Sequence, residues 1–459
     1  STAENNTTIF TVSESPFDEN IIWVGTDDGN IQITTDGGKT WTRLNDAVPG
    51  LPAFAFISHV DADNFDKNAA WVTVDAHRNG DMTPYVYYTG DLGRTWTALA
   101  AGDIKGFCHV IKQDPVNRDL VFLGTEMGLY VSTDHGKTWV RFKNKIPQTG
   151  IYDLAFQTRE NDLALATHGR GIIIIDDLTP LRSLTQDVLE QEFAFLPVRS
   201  YYFPSGMGLQ DFPGDDEFTG TNASSAATVA YYLKKRHVFG EMYFEIYDAD
   251  GTFQKKLPAG NRKGINIVRI ATSMDPPKVP KSPNILGEAA FGPDYPAGKY
   301  SIRLVKGNET FTTDLILNDS PDWKHPEADR KLQRETLMRA YDLLEELAGV
   351  DQKILDARDA LKNRESSARG SALKKIKSLI AVCDEMHEKI SATQSGEGGI
   401  TGQVRLRENI GEIYGAVAGY PGKPADLQIK ALDNYARQVK DFGSRIDLLM
   451  KKDLPGLIR

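Results

Sequence analysis

A chain of 459 residues is too long for one hydrophobic core, and two or three domains are expected. Its 40% hydrophobic and 25% charged residues are those of an ordinary globular protein. A net charge of −10 with no basic stripe excludes a nucleic-acid binder, and no apolar run approaches the roughly 18 residues of a membrane span.

Residues 1–185 read as repeats. Thr34-Thr35-Asp36-Gly37-Gly38-Lys39-Thr40-Trp41, Thr89-Gly90-Asp91-Leu92-Gly93-Arg94-Thr95-Trp96 and Ser132-Thr133-Asp134-His135-Gly136-Lys137-Thr138-Trp139 all fit (S/T)-x-D-x-G-x-T-W, the Asp-box. The chemistry is that of a tight hairpin. Asp36, Asp91 and Asp134 can accept backbone N–H bonds within the turn. Gly38, Gly93 and Gly136 can take a backbone angle closed to other residues. Trp41, Trp96 and Trp139 offer a broad apolar face to a neighbouring sheet. Each residue type has a structural task, so the boxes predict a fold and no reaction. A second signal, Trp23-Val24-Gly25-Thr26, returns as Phe122-Leu123-Gly124-Thr125 and as Leu165-Ala166-Thr167-His168-Gly169-Arg170-Gly171. The spacing fits four-stranded propeller blades, four of them, the fourth without a box. Between the strands of the second lies an insert, Asp75 to Asp81, where a blade commonly grows a binding loop. Four blades do not readily close a ring, so further blades are expected from the same precursor or a partner chain.

Residues 186–225 read as an aromatic, Pro- and Gly-rich linker packed on its neighbours. Residues 226–320 read as a small antiparallel β-sandwich of the fibronectin III or immunoglobulin kind. Its strands are expected at Ala227–Leu233, Met242–Tyr247, Thr252–Leu257, Ile265–Ile270, Lys299–Val305 and Thr310–Leu317, with Pro276–Pro283 as an exposed loop. Residues 321–459 carry four amphipathic stripes, which predicts a helical bundle with Cys383 and His387 on a buried face. The whole is multidomain and mainly β.

The order of these parts resembles large bacterial proteins with sortilin-type (VPS10-like) BNR/Asp-box propellers, grouped with glycosyl hydrolases through propeller similarity. Ala166-Thr167-His168-Gly169-Arg170 with Asp176-Asp177-Leu178-Thr179-Pro180-Leu181, and Asp75-Ala76-His77-Arg78 ahead of Pro84-Tyr85, carry the resemblance. It implies that this chain is the C-terminal half of a longer protein, found outside the cytoplasm. A hydrolase activity would rest on fold analogy alone.

The candidate ligand-binding residues are His77, Arg78 and Asp81 in the insert, and Glu126, His168 and Arg170 at equivalent strand ends. No carboxylate pair suited to glycoside hydrolysis and no arginine cluster is recognisable. Asp61–Asp66 lacks the glycine and terminal glutamate of a calcium loop, so neither a metal nor a cofactor is expected. The sequence favours a non-catalytic protein that holds a protein, peptide or glycan. The alternatives are a glycoside hydrolase and a sortilin-like peptide receptor.

Overall fold

The computed structural model of the chain describes residues 7–99, 102–204, 225–394 and 403–457. It forms two compact units. One comprises residues 1–199, 228–268 and 301–315; the other comprises 200–227, 269–300 and 316–459. Among the described residues no helix is long and apolar enough to cross a membrane.

The first unit begins with four antiparallel meanders. They are β1 (Ile9–Ser15) to β4 (Thr42–Arg43), β5 (Phe56–Ala62) to β8 (Thr97–Ala98), β9 (Cys108–Gln113) to β12 (Val140–Arg141), and the three-stranded β13 (Ile151–Gln157), β14 (Asp162–Thr167) and β15 (Ile172–Ile175). Each sheet keeps its strands in sequence order, as a propeller blade does. The first strands of successive blades lie side by side but are joined through side chains. Val60 and Ala62 of β5 donate backbone N–H bonds to Thr11 Oγ1 and Ser13 Oγ of β1 at 3.1 and 2.9 Å. Lys112 and the Gln113 N–H of β9 reach Asp61 of β5 at 2.7 and 3.1 Å.

The glycine of the repeated V/L-G-T signature has a steric cause. A Cβ on Gly25 would stand 2.4 Å from Ile57 Cγ2 of the second blade. One on Gly124 would stand 2.6 Å from the Ile151 carbonyl oxygen of the fourth. Only the bare backbone lets the next blade come this close.

After a half-buried turn of helix, α1 (Thr179–Arg182), Arg182 ion-pairs with the wholly buried Asp114 at 2.9 Å, tying the end of the blades to the third sheet, and a second short helix, α2 (Gln186–Glu190), leads on. The sandwich follows. One sheet has the order β16 (Phe193–Leu196), β18 (Ala227–Leu233), β21 (Gly264–Ile270). The other runs β17 (Tyr201–Tyr202), β23 (Glu309–Asn318), β22 (Gly298–Lys306), β19 (Met242–Tyr247), β20 (Phe253–Pro258). Strands β16 and β17 lie in the stretch expected to be linker. Phe193 and Phe195 have the alternation of a strand, and Phe193 stacks on Phe311 at 4.1 Å inside the sandwich. The remainder of that linker, 205–224, is outside the described residues.

The second unit is built on α3 (Glu327–Glu365), α4 (Gly370–Ile390), α5 (Leu406–Ala418) and α6 (Asp426–Lys452), around one core that includes Leu344, Ile354, Cys383, Ile410 and Ile446. The loop expected to be exposed, Pro276–Pro283, is so at Pro276, Lys278, Lys281 and Pro283, but Val279 packs on this core. Pro277 and Pro280 are buried, Leu286 and Ala289 join the apolar cluster, and the Tyr414 hydroxyl donates to the Phe291 carbonyl at 2.6 Å. His387 pairs with the buried Asp351 at 2.7 Å, which explains an imidazole on an apolar helix face.

Candidate functional site

The three boxes sit in the hairpins that join β3 (Ile31–Thr34) to β4, β7 (Tyr85–Thr89) to β8 and β11 (Gly128–Ser132) to β12, and form the same bonds each time. One Asp oxygen accepts from the backbone N–H four residues on, at 2.9 Å in all three. The other accepts from that residue's threonine hydroxyl at 2.6–2.7 Å. The opening Thr or Ser hydroxyl donates back to the Asp at 2.7–2.9 Å. These bonds hold Asp36 down at about 2, and pull Asp91 and Asp134 below the usual carboxylate range against the effect of burial. All three carboxylates are consumed by their turns. Gly38, Gly93 and Gly136 have φ of 87, 80 and 77°. The residue before each is left-handed too, including Leu92 and His135 at 61 and 58°, which the motif does not announce. Trp96 and Trp139 are buried, whereas Trp41 is exposed.

At another place the blades bring together residues that no motif joins. His77 follows β6 (Ala70–Asp75). Its Nδ1 lies 2.6 Å from Asp75, and its ring stacks on Phe107 at 4.3 Å between centroids. Phe107 meets His109 of β9 edge-on at 5.1 Å. His109 stacks on Tyr152 of β13 at 3.9 Å, while its Nε2 lies 2.9 Å from Glu126. Tyr152 meets His168 edge-on at 5.2 Å. The row His77–Phe107–His109–Tyr152–His168 therefore crosses three blades without a break. Burial holds the Tyr152 phenol above its usual range, with Glu126 and Asp75 adding in the same direction, so it stays protonated and can donate.

At the fourth-blade end this row borders a shallow cleft of about 520 Å³ lined by Glu126, Met127, Gln148, Thr149, Gly150 and His168. His168 is fixed from both sides of its backbone. Its N–H donates to the Gly150 carbonyl, and its own carbonyl accepts from the Thr149 hydroxyl, each at 2.9 Å.

Of the six residues singled out in the sequence, His77, Glu126 and His168 thus belong to one arrangement. Arg78 sits 5.2 Å above the Phe56 ring on the second blade. Asp81 serves its own loop, accepting from the Thr83 N–H and the Tyr85 hydroxyl at 2.9 and 2.7 Å, which lower its pKa. Arg170 is exposed and has no carboxylate partner among the described residues. Phe107, His109 and Tyr152 were missed. Phe107 immediately precedes the first strand of its blade and His109 and Tyr152 lie on first strands, where a ring reads as ordinary core, yet Tyr152 is 47% exposed. Among the described residues no cluster of three or more His, Cys, Asp or Glu side chains could hold a metal ion.

Residues 32–43 and 130–141 match the BNR/Asp-box repeat family model. The second box has the same hydrogen bonds without a match. No curated protein sequence matches the chain. Among solved structures, it is similar to YCF48 from Cyanidioschyzon merolae at 18% identity and a TM-score of 0.29, over 37% of this chain and 53% of that one. A structure of YCF48 bound to D1 peptide aligns at 13% identity and a TM-score of 0.28, over 67% of this chain and 82% of the other. The Niastella koreensis GH74 enzyme aligns at 12% identity and 0.29, over 68% of this chain and 46% of that enzyme. At this level of likeness none of them says what this chain binds or does.

Proposed function

We propose that this chain is a non-catalytic binding protein whose propeller blades hold an extended peptide segment along the His77–Tyr152–His168 row. The observation that supports it is the continuity of that row across three blades, ending in a cleft that offers the Gln148 amide, the Thr149 hydroxyl and the apolar Met127. Aromatic and imidazole rings give contact area at small entropic cost, and the amide and hydroxyl can pair with a peptide backbone. Catalysis is disfavoured because Asp75 and Glu126 are each bonded to an imidazole and do not stand free as an acid and a nucleophile. A glycoside hydrolase is the second reading, since Asp75 and Glu126 both border the same row through His77 and His109. The resemblance to sortilin-type propellers and an extracytoplasmic location are part of this proposal.

The same reading includes further blades. In the strand register, Leu129 and Val131 of β11 (Gly128–Ser132) correspond to Ile172 and Ile174 of β15. The first pair is buried by the fourth blade. The second pair is 75% and 58% exposed. An additional blade, from the same precursor or a partner, would cover it as the fourth covers the third.

The test is selection of linear peptides from a random display library against the full chain. Tyr152→Ala and His168→Ala should each weaken the selected peptides at least about tenfold. Peptides indifferent to both changes, or turnover of a β-glucan abolished by Glu126→Gln, would overturn the binding reading.

A further inference from the structure

One end of the sandwich carries a different chemistry from the rest of this acidic chain. The β18–β19 connection reads Lys234-Lys235-Arg236-His237-Val238-Phe239-Gly240-Glu241. Val238 is 66% exposed and Phe239 is 88% exposed, side by side at the tip. Gly240, at φ 84°, turns the chain immediately after them. Both apolar side chains line a shallow cleft of about 400 Å³ together with Glu192, Lys235, Arg236, His237 and Lys306. The His237 N–H donates to the Asn261 carbonyl at 3.0 Å, which brings the Arg262-Lys263 loop to the same end. The Gly307 N–H donates to the Glu241 carbonyl at 2.9 Å and adds the β22–β23 turn.

The carboxylates nearby do not neutralise this end. Glu192 faces Lys235 at 3.5 Å, and Glu241 faces Lys256 at 3.9 Å, both pairs well exposed. Glu309 holds Lys306 at 2.7 Å. Arg236, Arg262 and Lys263 have no carboxylate partner among the described residues. Three cations without a carboxylate partner among the described residues thus stand at the same end as two exposed apolar side chains. Exposed apolar groups bordered by charge mark a surface made for a partner.

We propose that this end of the sandwich docks on an anionic lipid surface. Val238 and Phe239 would enter the acyl boundary, and Lys235, Arg236, Arg262 and Lys263 would lie against the headgroup phosphates. The charge is complementary to such a surface, and basic groups beside an anionic bilayer attract it additively. An exposed pair of one aliphatic and one aromatic side chain, Val238 and Phe239, suits insertion between lipids. An acidic glycan would instead need a run of ring faces, and Phe239 is the one largely exposed benzene ring of this connection.

The test is cosedimentation of the full chain with phosphatidylcholine vesicles with and without 30% phosphatidylglycerol. Binding should require the anionic lipid and weaken as salt is raised. Lys235→Glu with Arg236→Glu should reduce partitioning by at least about 25-fold, at roughly fivefold per basic group lost. Phe239→Ser should also reduce it, and Phe239→Leu should restore it, which separates insertion from charge. All three positions are on the surface, so circular dichroism should be unchanged in every variant. Three results would each overturn the proposal: no pelleting with phosphatidylglycerol, equal pelleting of Phe239→Ser, or retention by polygalacturonate that is indifferent to Phe239 while vesicles are ignored.

Discussion

The His109 imidazole lies flat on the Tyr152 phenol ring, 3.9 Å between centroids, one side chain from the third blade and the other from the fourth. His109 is in turn held by Glu126 at 2.9 Å. The stack is thus both a joint between blades and the middle of the proposed binding row.

As a joint, it should register in stability. A double-mutant cycle of His109→Ala and Tyr152→Ala, read by urea melts, should give a coupling of about 0.5–1.5 kcal/mol. Additive losses would mean that the rings merely neighbour one another, and the row would lose its rigid centre.

The signature glycine gives a second expectation. Gly124→Ala drives a methyl toward the backbone carbonyl oxygen of Ile151, which cannot rotate away. Overpacking of this kind costs about 1–3 kcal/mol. The equivalent Ala166 on the fourth blade is exposed, and Ala166→Val should be nearly neutral in the isolated chain. Equal effects at the two sites would remove the steric account of the repeat.

These residues also show what the sequence could reveal. The boxes were legible because a hairpin with an Asp, a left-handed glycine and a Trp leaves few alternatives. The four blades, the sandwich strands and the helices follow from turn chemistry and periodicity, which are local. The binding row is not local. Phe107 and His109 of the third blade meet Tyr152 of the fourth, and His77 of the second, only when the sheets pack, and no local motif marks them. The loop Pro276–Pro283 was misread in part for the same reason. Its prolines suggested exposure, but Val279 packs on the helical core, and beyond the loop Leu286 finds its partners on α5, more than 100 residues away, where Gly411 leaves room for it.

His59 on β5 supplies a pH dependence. Burial, with the Lys112 charge adding, pushes its pKa down to about 3, from the 6.5 of an open chain. Between those values the unfolded chain takes up a proton that the folded chain refuses. Stability should therefore fall as pH drops below 6.5, at up to about 1.4 kcal/mol per pH unit. The Asp-box carboxylates act in the same direction only below about 4, because their folded pKa values are depressed and their unfolded ones lie near 3.8. The difference between wild type and His59→Gln, followed by thermal melts from pH 7 to 4.5, isolates the imidazole. A difference constant over that range would show that His59 protonates without penalty in the fold.

The last expectation concerns the outer face of the fourth blade. Ile172 and Ile174 hold the register positions that Leu129 and Val131 hold one blade earlier, and the earlier pair lies within the core shared with Ile151 and Leu154. Full burial of such a side chain is worth about 1.5–3 kcal/mol, so covering both isoleucines contributes roughly 3–6 kcal/mol to any blade that packs there. That is a large share of a domain's stability of about 5–15 kcal/mol, and leaving the pair in water favours association. Strand β15 is also the last of its sheet, with its outer edge free of further strands among the described residues. The purified chain should accordingly self-associate or hold a partner in native mass measurement. Ile172→Lys with Ile174→Lys should return it to a 50.8 kDa monomer without lowering the melting temperature, since neither side chain supports the core. If wild type is already monomeric at high concentration with nothing bound, the exposed face is tolerated and no further blade is needed to cover it.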